Sequence, residues 1–161
     1  MNVLILNKTL VLISVFFMLM ACDPLDKRLS IENNSKKEIV FRASFIQNDT
    51  IIETSLDMVM IGANSKVKLI KLWSWDSEFS RLETKTPLSI TAYEKKKLDV
   101  KDLSSLNAFN QVDSLIRKGE YFISNYSIDQ LKNANWHILF PEDFERGKPI
   151  HLNSRNLLMT N

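Results

Sequence analysis

The chain of 161 residues holds one cysteine, Cys22, and the residues before it are unlike those after it. Lys8 leads into an apolar run from Leu10 to Met20, and Ala21 then meets the cysteine. A basic start, a short apolar stretch and a small residue at its end are the parts of a secretory signal. The eleven residues from Leu10 to Met20 fall short of the ~20 that a spanning helix needs. A signal peptide over residues 1–21 is the expectation. An uncleaved signal anchor and a free or structural cysteine are the competing readings; the short run weighs against the first, and the missing second cysteine against a disulfide. With its only thiol at the amino end, the domain that follows has no disulfide framework, cysteine-ligated zinc or redox pair to lean on. It has to be held by burying apolar surface.

The four residues Leu19-Met20-Ala21-Cys22 resemble the lipobox of bacterial lipoproteins, with an aliphatic residue three before the cysteine and a small one just before it. That resemblance implies a diacylglyceryl group on the Cys22 thiol, cleavage after Ala21 and acylation of the new amino terminus. Each buried methylene contributes ~0.8 kcal/mol, and two or more chains give stable anchoring. The lipid bilayer is thus the expected partner of Cys22. The expected location is a bacterial membrane, the outer one, on its periplasmic or surface face.

Cleavage would remove 21 of the 161 residues and leave 140, with 20 basic side chains against 19 acidic. That length suits one domain with a sizeable core. A balanced charge lacks the basic stripe of a nucleic-acid binder, so no nucleic acid is expected as partner. Three glycines in the whole chain leave little material for a loop that cradles phosphates, and no cofactor is expected.

Residues 22–30 read as the lipidated cysteine and a short charged tether broken by Pro24. A single globular domain is expected over 31–161. Ile31–Ser35 looks like a short strand entering a turn. In Glu38–Ile46 the residues Ile39, Phe41, Ala43 and Phe45 alternate with Val40, Arg42, Ser44 and Ile46, the pattern of a half-buried strand. Further strands are expected at Ile51–Thr54, Lys66–Leu72, Leu88–Tyr93, Trp136–Phe140 and, at an edge, Ile150–Leu152. Leu106, Phe109, Val112 and Ile116 fall on one stripe of a helix that Gly119 can close. Ser127 and Gln130 form a capping box for a second helix. The expected fold is α+β and β-rich: an antiparallel sheet or β-sandwich with one or two short helices.

Three stretches are similar to those of a group of small lipoproteins of Bacteroidetes: Cys22 followed by Ile31-Glu32-Asn33-Asn34-Ser35 and a strand, Val112–Lys118, and Ser127–Pro141, where a capped helix runs into an Asn-Trp strand ending at proline. The likeness covers most of residues 22–141 as scattered motifs. It departs in having Phe140 where tyrosine is more usual, and in a longer tail. It implies a β-rich envelope domain and brings no catalytic or binding residues with it.

The sequence offers few constellations for chemistry. His137 and His151 stand fourteen apart, and although Asp143 or Glu145 could join them, nothing in the spacing asks for a metal. There is no Gly-x-Ser-x-Gly elbow. Carboxylates pair at Asp76/Glu78 and in Glu142–Glu145, but neighbours in sequence do not establish the cleft a glycosidase needs. Trp73 and Trp75 would share one face of a strand, a platform that can stack on a sugar ring with Asp76 or Arg81 bonding its hydroxyls. The competing reading packs both indoles into the core. Lys95-Lys96-Lys97 reads as a solvated turn, with contact to anionic lipid as the alternative.

The expected function is therefore a membrane-anchored envelope lipoprotein, not an enzyme, with a binding or structural accessory domain whose partner is a glycan or an envelope protein. A glycan-binding surface lipoprotein using Trp73 and Trp75 is the second reading. A hydrolase working through Asp76, Glu78 or the Glu142–Glu145 cluster is the third.

Overall fold

A computed structural model describes residues 25–47, 50–71, 74–82 and 86–150. The expectations for residues 1–24, which include Cys22 and its lipid, and those for Trp73, His151 and Leu152 lie outside the described residues. Among the described residues, eight strands and three α-helices follow in chain order. They are β1 (Ser30–Asn33), β2 (Ile39–Gln47), β3 (Thr50–Ile61), β4 (Ser65–Lys68), α1 (Trp75–Arg81), β5 (Leu88–Glu94), α2 (Leu106–Lys118), β6 (Phe122–Tyr126), α3 (Ile128–Asn133), β7 (His137–Phe140) and β8 (Glu145–Arg146). A 3-10 turn at Lys95–Lys97 follows β5. The fold is β-rich α+β, as the alternating strands imply.

The strands form two open sheets. Five pair antiparallel in the order β3-β2-β5-β6-β8, and three form a mixed sheet in the order β4-β1-β7. In the smaller sheet β1 runs parallel to β7, with Ile31 opposite Ile138, which brings the start of the domain against its far end. No local pattern announces such a pairing.

The larger sheet is covered on both faces. Ile39, Phe41, Ala43 and Phe45 on β2 stand opposite Glu94, Ala92, Ile90 and Leu88 on β5. Their apolar face joins the smaller sheet, Trp75 of α1 and Leu131 of α3 in one core. The opposite face presents Val40 and Tyr93 to Ala108, Val112 and Ile116 of α2 in a second core. β2 is consequently buried from Ile39 to Phe45 on both sides. The half-buried strand expected there is corrected: Arg42 and Ser44 look like a wet face in sequence but are buried, Arg42 against Phe109 and Asp113 of α2.

Helix ends follow from their capping residues. The Ser105 hydroxyl accepts from the Ala108 amide at the start of α2, and Gly119, with φ 66°, ends it in the left-handed conformation that glycine adopts without strain. The capping box at Ser127 and Gln130 is formed in both directions. Trp136, Ile138 and Phe140 are buried together, as their spacing implies.

Two further expectations change. The domain begins before residue 31: the Asp26 amide donates to the Lys71 carbonyl and the Lys71 amide to Asp26, while Leu29 is fully buried. Hydrogen bonding therefore draws the last part of the presumed tether into the body of the molecule. At the other end Ile150 is in no strand; its amide donates to the Ile116 carbonyl at the end of α2. β6, between β5 and β8 in the larger sheet, has no clear signal in Phe122-Ile123-Ser124-Asn125-Tyr126, because its alternation mixes both cores.

Candidate functional site

The residues singled out by the sequence converge on the start of α1. Ser74 caps that helix, its hydroxyl accepting from the Asp76 amide at 3.2 Å. Trp75 is the first helical residue, so it stands in a helix, not in the strand that a two-tryptophan platform requires. It is 0% exposed and belongs to the larger core. Its ring faces are occupied by protein: the Lys71 ammonium lies 4.9 Å from the ring centroid. Trp75 thus takes the core reading, for the usual reason that a large aromatic surface is costly to leave in water.

Asp76 stands half-exposed at the centre of an ionic chain. Arg28 donates to Asp76 Oδ2 at 2.7 Å, and Lys132 of α3 lies 3.1 Å from Oδ1. Arg28 is itself gripped by Asp26, through Nη2 to Oδ2 at 2.6 Å and Nε to Oδ1 at 3.0 Å, and its guanidinium sits 4.3 Å over the Trp136 ring. Asp26 also accepts from the Trp75 amide at 3.0 Å, tying the amino-terminal arm to α1. Burial alone would raise the Asp26 carboxyl, but the Arg28 guanidinium and the amides of Trp75 and Arg28 outweigh it and hold it at about 2. Arg28 first, then Lys132, holds Asp76 below the ordinary carboxylate range.

Glu78 and Arg81 lie further along α1. Lys71 and Glu78 meet at 2.8 Å, both side chains buried, and the exposed Arg81 approaches Glu78 at 3.5 Å. The Asp76/Glu78 pair is therefore dispersed among four cations. A general acid needs a carboxyl whose pKa is raised toward the working pH, and Asp76 is moved the other way.

The second acidic cluster is also engaged. Glu142 accepts from the Asn34 side chain at 3.1 Å, Asp143 accepts from the Leu139 amide at 2.7 Å, and Glu145 lies in β8. The lysine run has local partners: Lys95 donates to the Leu98 and Val100 carbonyls, while Lys96 approaches Glu94 and Lys97 approaches Glu120. His137 Nε2 lies 3.0 Å from Glu32 on the neighbouring strand, without hydrogen-bond alignment. Among the described residues, no three His, Cys, Asp or Glu side chains are placed to share a metal ion.

A buried polar group that the sequence does not announce lies between the larger sheet and α2. Arg42 donates to Thr54 Oγ1 at 2.9 Å and stands 4.0 Å from Asp113, both ionic side chains nearly enclosed. Burial raises the Asp113 carboxyl, a displacement that Arg42 and Arg117 only partly oppose. Tyr93 donates to Thr91 beside them. Arg28 and Lys132 are likewise missing from any site read in the sequence, because Asp76, which both reach, lies tens of positions from each; Asp26 is tied as remotely to the Trp75 amide.

Compared with protein-family models, with curated proteins and with solved structures, the chain finds no match. Among the described residues no helix is long and apolar enough to cross a membrane.

Proposed function

We propose that this chain is a lipid-anchored protein of the bacterial envelope whose domain acts as a binding or structural accessory without catalysing a reaction. The reading combines the signal and lipobox at residues 1–22 with one observation in the fold. The acidic pair most suited to hydrolysis is occupied in ion pairs, Asp76 with Arg28 and Lys132, and Glu78 with Lys71 and Arg81. Asp76, held below the ordinary carboxylate range by Arg28 and Lys132, serves as a strut more readily than as a proton donor. The likeness to small Bacteroidetes lipoproteins points the same way, and the outer membrane is the proposed site. Burial of Trp75 lends no support to a sugar-stacking pair with Trp73.

Palmitate labelling of the full-length protein in a bacterial host tests the anchor. The wild type is expected to take up label, and Cys22→Ala to lose it and accumulate as the uncut precursor. Label retained by the variant would overturn the assignment. A hydrolytic activity abolished by Asp76→Asn or Glu78→Gln would overturn the non-enzymatic part.

A further inference from the structure

The route from Cys22 into the fold is short. Asp26 is already clasped to Lys71 by paired backbone hydrogen bonds, 2.9 and 3.0 Å long. Four residue steps separate it from Cys22, and an extended chain covers at most ~3.6 Å per step, roughly 14 Å in all. The headgroup layer takes up ~5–7 Å of that reach on each side of a bilayer. A lipid on Cys22 therefore holds the Asp26–Lys71 edge within roughly 7–9 Å of the membrane surface, close enough for its side chains to reach the headgroups.

That edge has the composition of a membrane-contacting surface. Leu25 is 47% exposed and Ile70 54%. Lys68 and Ile70 are exposed while Leu69 and Lys71, which alternate with them, are buried, the alternation of an extended segment. Leu25, Lys27, Arg28 and Lys68 surround one open hollow beside Ser74. Arg28 is committed to Asp26 and Asp76, whereas Lys27 and Lys68 have no carboxylate partner among the described residues. Two aliphatic side chains among uncommitted lysines match the boundary between acyl chains and anionic headgroups.

We propose that this edge docks on an anionic bilayer surface, fixing the domain's orientation, with Leu25 and Ile70 entering the headgroup layer and Lys27 and Lys68 facing lipid phosphates. The smaller sheet then faces the membrane side, and α2, on the opposite face of the larger sheet, faces away. The inference rests on the anchor reading. Because lipid would occupy the only native cysteine, a cysteine introduced elsewhere is the single free thiol. Full-length Ile70→Cys and Leu106→Cys proteins, the latter position being 72% exposed on α2, are lipidated in the host and labelled with an environment-sensitive dye. Each is placed in phosphatidylcholine vesicles with and without phosphatidylglycerol, doped with doxyl-labelled lipid.

Quenching at least several-fold stronger at position 70 than at position 106, increased by phosphatidylglycerol and lost on adding Lys27→Glu and Lys68→Glu, is the expected result. Equal quenching at both positions, or quenching indifferent to anionic lipid, overturns the docking while a lipidated mass on the Cys22 peptide preserves the anchor. Absence of that mass overturns the anchor, and the docking with it.

Discussion

Trp75 shows how far a single residue's role depends on what lies far from it in the chain. As Trp-Ser-Trp, the segment 73–75 admits both a ligand platform and a core anchor, because the spacing is the same for both. Its neighbours decide: Ser74 caps a helix, so Trp75 turns inward against the core around Phe45 and Leu131. The capping residue is readable in hindsight, since Ser74 followed by Asp76 and Glu78 carries the polar and acidic signature of a helix start. Trp75→Ala is expected to cost ~3–5 kcal/mol by opening a cavity that the core cannot close. Thermal unfolding checks this. A melting temperature unchanged from wild type would return Trp75 to the surface role.

At the scale of elements, the parts legible from sequence were those whose signals are local. α2 and α3 were readable from stripes and caps, and β2 and β5 from alternation. The parts that were not legible depend on which face a distant element covers. β2 has a clean period of two, yet both its faces are dry because α2 lies across the one carrying Val40 and Arg42. Arg42 is consequently buried with Asp113 at 4.0 Å, a separation too long for a close ion pair. Removing one charge from such a pair leaves the other stranded, whereas replacing both with apolar residues of like volume is often neutral or better. Arg42→Met and Asp113→Leu are each expected to destabilise the domain by ~3 kcal/mol, while the double variant recovers most of that loss. Denaturant unfolding of the four proteins forms the cycle. Additive losses in the double variant would mean that the two charges do not interact.

The whole molecule is drawn together at Asp26, where the amino-terminal arm, the edge of the smaller sheet and α1 meet, and Asp76 extends the contact to Lys132 on α3. None of this is visible in a sequence that reads Asp23–Leu29 as a charged tether, because each partner is reached only after the sheets assemble. The linkage makes a pH-dependent claim. Asp26 titrates at about 2 in the fold against an ordinary value of 3.8, so the folded state binds its proton less readily than the unfolded chain does. Its stabilising contribution is therefore complete above the unfolded value and is lost as pH falls through about 2. Asp76 is shifted in the same direction and adds to that loss, whereas Asp113, shifted upward, contributes stability at low pH that is lost as pH rises through its folded value. Comparing wild type with Asp26→Asn cancels the groups that both proteins share, provided Arg28 keeps its hold on Asp76. At neutral pH the variant is expected to be less stable by ~1–3 kcal/mol, since the amide cannot accept from Arg28 as the carboxylate does. As the solution is acidified from ~pH 5 toward pH 2, wild type loses that advantage and the two unfolding curves converge. A gap of constant size across that range would show that the clasp at Asp26 is not held by its charge.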